Sequence, residues 1–143
     1  MLLAHVLQDK GRAVFTASTS ATLEQAAKEL AVRGIGALVI LDDDGLPAGV
    51  LSERDIIREL ARGGSARLGD PVRTAMTRDI VTASPHESVD DGLARMTDRR
   101  IRHLPVLDRG RLVGVVSIGD LVKHRIAAIE AESAAMVAYI AAQ

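Results

Sequence analysis

A seven-residue frame occurs twice in this chain, as GVLSERD from Gly49 to Asp55 and as GVVSIGD from Gly114 to Asp120. Each copy ends an aliphatic run with Gly and two aliphatic residues, then sets Ser and Asp three positions apart where a helix should begin. Ser and Asp persist while the residues between them change from Glu53 and Arg54 to Ile118 and Gly119. The surrounding sequence repeats as well. Thr16 aligns with Thr82, Leu30 with Met96, Ile35 with Ile101 and Leu38 with Leu104 at an offset of 66 (82−16), which falls to 65 (114−49) from Gly49 onward. The residue lost lies in a turn, where chains tolerate deletion.

Each half reads as strand, helix, strand, strand, helix. In the first half, Val14, Phe15 and Thr16 suggest a short strand, and the Ser/Thr-rich step to Thr22 offers a helix cap. Leu23, Ala26, Ala27, Leu30 and Ala31 follow at helical spacing, and the helix stops near Gly34. Ala37 to Leu41 and Ala48 to Leu51 form a hairpin around Asp42, Asp43, Asp44 and Gly45, and Ser52 opens a second helix. In the second half, Ile80 to Thr82 is the short strand, and Ser84 and Pro85 lead into a helix carrying Val89, Leu93 and Met96. His103 to Leu107 and Leu112 to Val116 form the hairpin. Leu2 to Gln8 is a helical lead-in. The division expected is 1–66 for the first repeat with its lead-in and 67–143 for the second.

The closing helix runs from Ser117 toward Ala141 and outlasts its counterpart. Val122, Ile126, Ile129, Met136 and Ile140 alternate four and three apart around Ser133, a heptad-like stripe that suits a dimer contact or packing back on its own chain.

Composition excludes several functions. The formal net charge is −1, so no field draws nucleic acid or an anionic membrane, and aromatics at 1% leave little to stack on bases. Cysteine is absent, which removes disulfides, thiol catalysis and thiolate metal sites and suits a reducing compartment, the cytoplasm. His5, His86 and His124 lack metal-ligand spacing, and no nucleophile and base pair is identifiable. The chain is therefore expected to be neither an enzyme nor a metalloprotein. Asp42 to Asp44 lack the oxygen spacing of a calcium loop. Gly34 and Gly36 follow a helix rather than a strand, against a dinucleotide turn.

The duplicated order of elements, the paired Gly-aliphatic-aliphatic-Ser-x-x-Asp frames and the RIRHLPVLD segment from Arg100 to Asp108 resemble a tandem pair of CBS domains, a Bateman module. The resemblance covers Val14 to Arg62 and Ile80 to Arg125. It implies an α/β (α+β) fold of two pseudo-twofold repeats packed sheet to sheet, with a cleft that binds AMP, ADP, ATP, NAD(H) or S-adenosylmethionine. Among these an adenine nucleotide comes first, AMP ahead of NAD(H) or ATP. Asp55 and Asp120 would accept hydrogen bonds from ribose hydroxyls, and Ser52 and Ser117 would meet ribose or phosphate. Adenine would lie near Thr16 to Ser18 and Thr82 to Ser84, and Arg102 and His103 would reach phosphate. Arg54 could clamp a phosphate that Glu53 repels.

Ser-x-x-Asp has a second meaning that needs no ligand. Ser caps the helix and the acid reaches back to the cap amide, contributing about 1 kcal/mol. Two functions therefore stand: a dimeric sensor that binds an adenosine nucleotide and signals to an unidentified protein partner, or a ligand-independent dimeric interaction module.

Overall fold

The computed structural model describes residues 1–11 and 14–143. In chain order the elements are α1 (Leu3–Lys10), β1 (Thr16–Ser18), α2 (Leu23–Arg33), β2 (Ala37–Leu41), β3 (Pro47–Ser52) and α3 (Glu53–Gly63). Two short 3-10 turns, Gly64–Gly69 and Val72–Thr74, precede α4 (Val89–Arg99), β4 (His103–Asp108), β5 (Arg111–Ser117) and α5 (Ile118–Ala141). The chain forms two compact units, one of Val14–Val81 and one of the N-terminal segment with Thr82–Gln143.

In the first unit β1 pairs parallel to β2, which pairs antiparallel to β3. The inward faces of β2 and β3 meet α2 and α3 in a core of Leu23, Ala26, Leu30, Leu38, Ile40, Leu51 and Ile56. Thr22 caps α2 by accepting the Gln25 N–H at 3.1 Å, while the Gln25 side chain accepts the Thr22 N–H at 2.9 Å. The acidic turn closes because Asp42 Oδ1 accepts the N–H groups of Asp44 and Leu46, both at 2.9 Å. That is the local geometry for which Asp is favoured in turns.

The second unit repeats the first down to its register. Leu38 pairs with Leu51 and Leu104 with Val116, and both hairpins carry a register shift at the same place, between Ile40 and Leu41 and between Val106 and Leu107. The deleted residue lies in the turn, where Arg109 and Gly110 both take positive φ (52° and 78°), the requirement of a tight two-residue hairpin loop. One expectation fails. Ile80 to Thr82 forms no strand, and the counterpart of β1 is reduced to one parallel bridge, Ala83 to Val106, at the place where Ala17 pairs with Ile40. Ser84 and Pro85 stay in the loop, and Ser88 caps α4 by accepting the Asp91 N–H at 3.0 Å.

The lead-in also proves to be duplicated, a feature that sequence reading missed. Leu2 bridges Ser88 as Pro71 bridges Thr22. The Leu3 N–H donates to the Glu87 carbonyl as the Val72 N–H does to that of Ala21, and the Val89 N–H donates to Met1 as the Leu23 N–H does to Asp70. Residues 1–7 and 70–76 are thus equivalents, each wedged against a different half. Leu3 and Val72 are both fully buried. By its contacts α1 groups with the second half and 67–81 with the first, beside the 66/67 division expected from the sequence.

Candidate functional site

The Gly that opens each frame makes room for this wedge. A Cβ at Gly49 would stand 2.6 Å from the Met76 sulfur and 2.9 Å from the Thr77 carbonyl oxygen, and one at Gly114 would overlap the Leu7 side chain. The two aliphatic residues continue into the core, and Ser and Asp then emerge at the N-termini of α3 and α5.

Both Ser-x-x-Asp pairs are complete capping boxes. Ser52 Oγ accepts the Asp55 N–H at 3.3 Å and Asp55 Oδ2 accepts the Ser52 N–H at 2.8 Å. Ser117 Oγ accepts the Asp120 N–H at 3.1 Å and Asp120 Oδ2 accepts the Ser117 N–H at 2.9 Å. The cap fixes each carboxylate at the positive end of a helix dipole. The two carboxylates then differ. Asp55 is 8% exposed and its Oδ1 meets Arg58 Nη1 at 3.2 Å.

Asp120 meets a residue from far away in sequence. Lys10, the last residue of α1, places its Nζ 2.7 Å from Asp120 Oδ2 and 2.8 Å from the Val115 carbonyl. Burial pushes the Asp120 carboxyl pKa upward, but the Lys10 and Ser117 hydrogen bonds outweigh it and hold the group below its ordinary value. Next to it, His124 sets Nδ1 2.9 Å from the Asp120 carbonyl and Nε2 3.0 Å from Asp9 Oδ2. Both partners are acceptors, so the two ring nitrogens are satisfied together only in the imidazolium form. The bond to the Asp120 carbonyl, then that to Asp9, raises the His124 pKa above its ordinary value.

The remaining candidates divide by position. His103 begins β4 and pairs directly with Ser117, and the Arg102 carbonyl accepts the Ile118 N–H at 2.8 Å, so Arg102 and His103 flank the start of α5. Glu53 donates its N–H to the Gly36 carbonyl in the same way at α3. Arg54 is exposed on the first turn of α3. In β1, Thr16 pairs with Val39 and so lies toward the end of the sheet that carries Ser52, whereas Ser18 lies at the other end, its hydroxyl 3.0 Å from that of Ser20.

Thr82 and Ser84 are held by two residues that sequence reading did not single out. Glu87 Oε2 accepts the Ser84 N–H at 2.6 Å and pairs with Arg95, whose Nη1 also donates to the Thr82 carbonyl at 2.7 Å. The Arg95 hydrogen bond carries the Glu87 pKa below its ordinary value against the opposing effect of burial. Ser84 and Glu87, three apart, were a legible signal of this clamp. A groove of about 550 Å³ between α2 and α3 is lined by Leu30, Ile35, Ile56 and Ile57, with Glu53 as its only charge among the described residues. Nothing in that lining suits a phosphate.

The sequence profile of the CBS domain matches residues 11–62 and 72–127, the two halves described above. The chain belongs to the CBS-domain family. It is 33% identical over 122 residues to CBS domain-containing protein YhcV of Bacillus subtilis, covering 85% of each chain. It spans 66, 63 and 34% of the length of three further curated relatives. Among solved structures, CBS-domain containing protein ATU1752 of Agrobacterium tumefaciens is 39% identical with a TM-score of 0.83, over 87% of this chain and 92% of that one. The CBS domain pair of protein MJ0100, crystallised with 5-methylthioadenosine and S-adenosyl-L-methionine, is 29% identical with a TM-score of 0.77, over 86% of this chain and 94% of that one. No helix among the described residues is long and apolar enough to cross a membrane.

Proposed function

We propose that this CBS pair is a regulatory sensor for an adenosine-containing ligand, with Asp120 and Asp55 as the ribose-binding carboxylates. The observation that carries the reading is the pair of equivalent carboxylates, each locked to its own helix cap, in a chain whose relative MJ0100 holds two adenosine compounds. A carboxylate fixed this way loses little entropy on accepting a ribose diol. Arg102 and His103 stand beside α5 where a phosphate would add a charge-assisted contact, which favours AMP, ADP, ATP or NAD(H) over a neutral nucleoside. Ser52, Ser117, Thr82, Ser84, Thr16, Ser18 and Arg54 complete the proposed contacts. A difference in ligand affinity between two arrangements of the chain would pass occupancy to a protein partner in the cytoplasm. At the second site the ribose has to share or displace Lys10.

A second reading is supported by the same hydrogen bonds. Each Asp already has partners within the chain, Lys10 or Arg58 besides its cap amide, so both frames are stable without ligand. A dye-reported thermal shift with AMP, ADP, ATP, NAD(H), S-adenosylmethionine and 5-methylthioadenosine separates the two. A ligand at about one hundred times its Kd adds roughly 2.7 kcal/mol of stability. The expected result is a shift of several degrees with at least one adenosine compound, lost in Asp120→Ala or Asp55→Ala. No shift with any of them leaves the frames as helix caps and the chain as a ligand-independent interaction module.

A further inference from the structure

The second half of α5 has no core to cover. Every residue from Glu130 onward is exposed, and the stripe set out by spacing is exposed too: Ile126 51%, Ile129 48%, Met136 61% and Ile140 64%. An isolated helical extension of this length is marginal in water, so such a face requires a partner. The positions around the stripe narrow the choice. Ala127, Ala128, Ala131, Ala134, Ala135 and Ala138 fill most of the other positions, giving strong helix propensity and little contact area, so the large apolar residues other than Val137 and Tyr139 define one seam.

Charge decides what lies on that seam. With Ile126 and Ser133 at one core position of a heptad and Val122, Ile129 and Met136 at the other, the flanking positions hold Lys123 and Arg125 near the body and Glu130 and Glu132 beyond it. No basic side chain follows Arg125, which disfavours an anionic lipid surface. The pattern is its own complement. We propose that α5 pairs with α5 of a second copy in an antiparallel coiled coil, Ile126 opposite the partner's Ile129 and Val122 opposite the partner's Ser133. In that register Lys123 lies beside the partner's Glu130 and Arg125 beside the partner's Glu132, twice over by symmetry. Ile118, 39% exposed, comes beside the partner's Tyr139, 64% exposed, on the side that carries Arg125 and Glu132, which accounts for two apolar residues outside the stripe. A parallel pair would match only Arg125 with the partner's Glu130, and would leave Lys123 facing Ile118 and Glu132 facing Val137.

The pairing does not depend on nucleotide binding and is tested apart from it. Light scattering should give the 143-residue chain twice its monomer mass. Lys123→Glu/Arg125→Glu and Glu130→Lys/Glu132→Lys should each halve that mass, and an equimolar mixture of the two variants should restore it. Circular dichroism verifies that each variant is folded. The glutamate variant touches no ion pair among the described residues, so it carries the test should loss of the Arg125–Asp90 pair, at 3.3 Å, disturb the other. Orientation is read by disulfide formation in a chain that has no other cysteine. Val122→Cys and Ser133→Cys should each fail to crosslink alone, since like positions lie about 16 Å apart along the axis at 1.5 Å per residue. They should crosslink when mixed. A monomeric parent chain, charge variants that stay dimeric, or each cysteine variant crosslinking to itself would overturn the proposal.

Discussion

Arg100 and Gly34 occupy the same place in the two halves, just past the ends of α4 and α2, and both are left-handed, with φ of 55° and 63°. Glycine adopts that conformation freely, whereas a side chain there costs about 1 kcal/mol or more. Arg100→Gly should therefore raise stability by about 0.5–1 kcal/mol, roughly 2–4 °C in Tm for a chain of this size. An unchanged or lowered melting temperature would sink the argument. At the same scale, the raised pKa of His124 makes stability depend on pH. Its contribution is complete below its ordinary value of 6.5 and is lost as pH rises through the folded-state value. The parent chain should exceed His124→Gln in Tm by most at about pH 5.5, with the gap narrowing toward about pH 8.5. Asp9 is 71% exposed, so the effect should be a fraction of a kcal/mol, and a gap independent of pH would rule out the imidazolium. Local signals made Ser52, Asp55, Ser117 and Asp120 legible from sequence, because a cap is a three-residue affair. Lys10 was not legible, because its partner is 110 positions away and only the fold brings them together.

Helices and hairpins were legible to within a residue or two, except at the start of α4, where Ser88 rather than Ser84 is the cap, since amphipathic period, turn chemistry and caps agree at the others. The failure at 80–82 is instructive. Ile80, Val81 and Thr82 have good strand propensity, yet among the described residues this segment reaches the sheet only through the bridge of the next residue, Ala83, while the preceding backbone is held by the Arg95 bond to the Thr82 carbonyl. Tertiary context overrode local preference. The frame glycines were legible as a repeat but not as a packing requirement, which the wedges reveal. Gly49→Ala should be the worse of the two equivalent substitutions. At Gly114 the new methyl meets the end of a flexible leucine, which can turn aside, but at Gly49 it also meets a backbone carbonyl that cannot. Overpacking of this kind costs about 1–3 kcal/mol. Denaturant titration should place Gly49→Ala at the upper end and Gly114→Ala at the lower, and equal losses would mean that the carbonyl yields as easily as the leucine.

For the whole molecule, the duplicated lead-in changes what counts as a unit. A duplication read along the sequence places the cut between the repeats, at 66/67, and leaves the lead-in with the first. Hydrogen bonding places it elsewhere, because Val72 and Met76 close the first half as Leu3 and Leu7 close the second. A fragment of residues 1–66 would keep the α1 wedge for a half it does not contain and lose Val72, which is 0% exposed in the core it leaves behind. It would also expose Gly49 and the edge of β3 that Thr77 bridges at Val50, N–H to carbonyl at 3.0 and 2.9 Å. Domains this small have little surplus stability, so one missing wedge decides between folded and unfolded. Residues 14–81 should therefore melt cooperatively by circular dichroism, and residues 1–66 should show no transition despite containing every strand and helix of the first repeat. In the full chain, Leu3→Ala and Val72→Ala should then cost similar amounts, about 2–3 kcal/mol each, because each empties the same position against a different half. If 1–66 melted as sharply as 14–81, the wedges would be accessories and the repeat itself the folding unit.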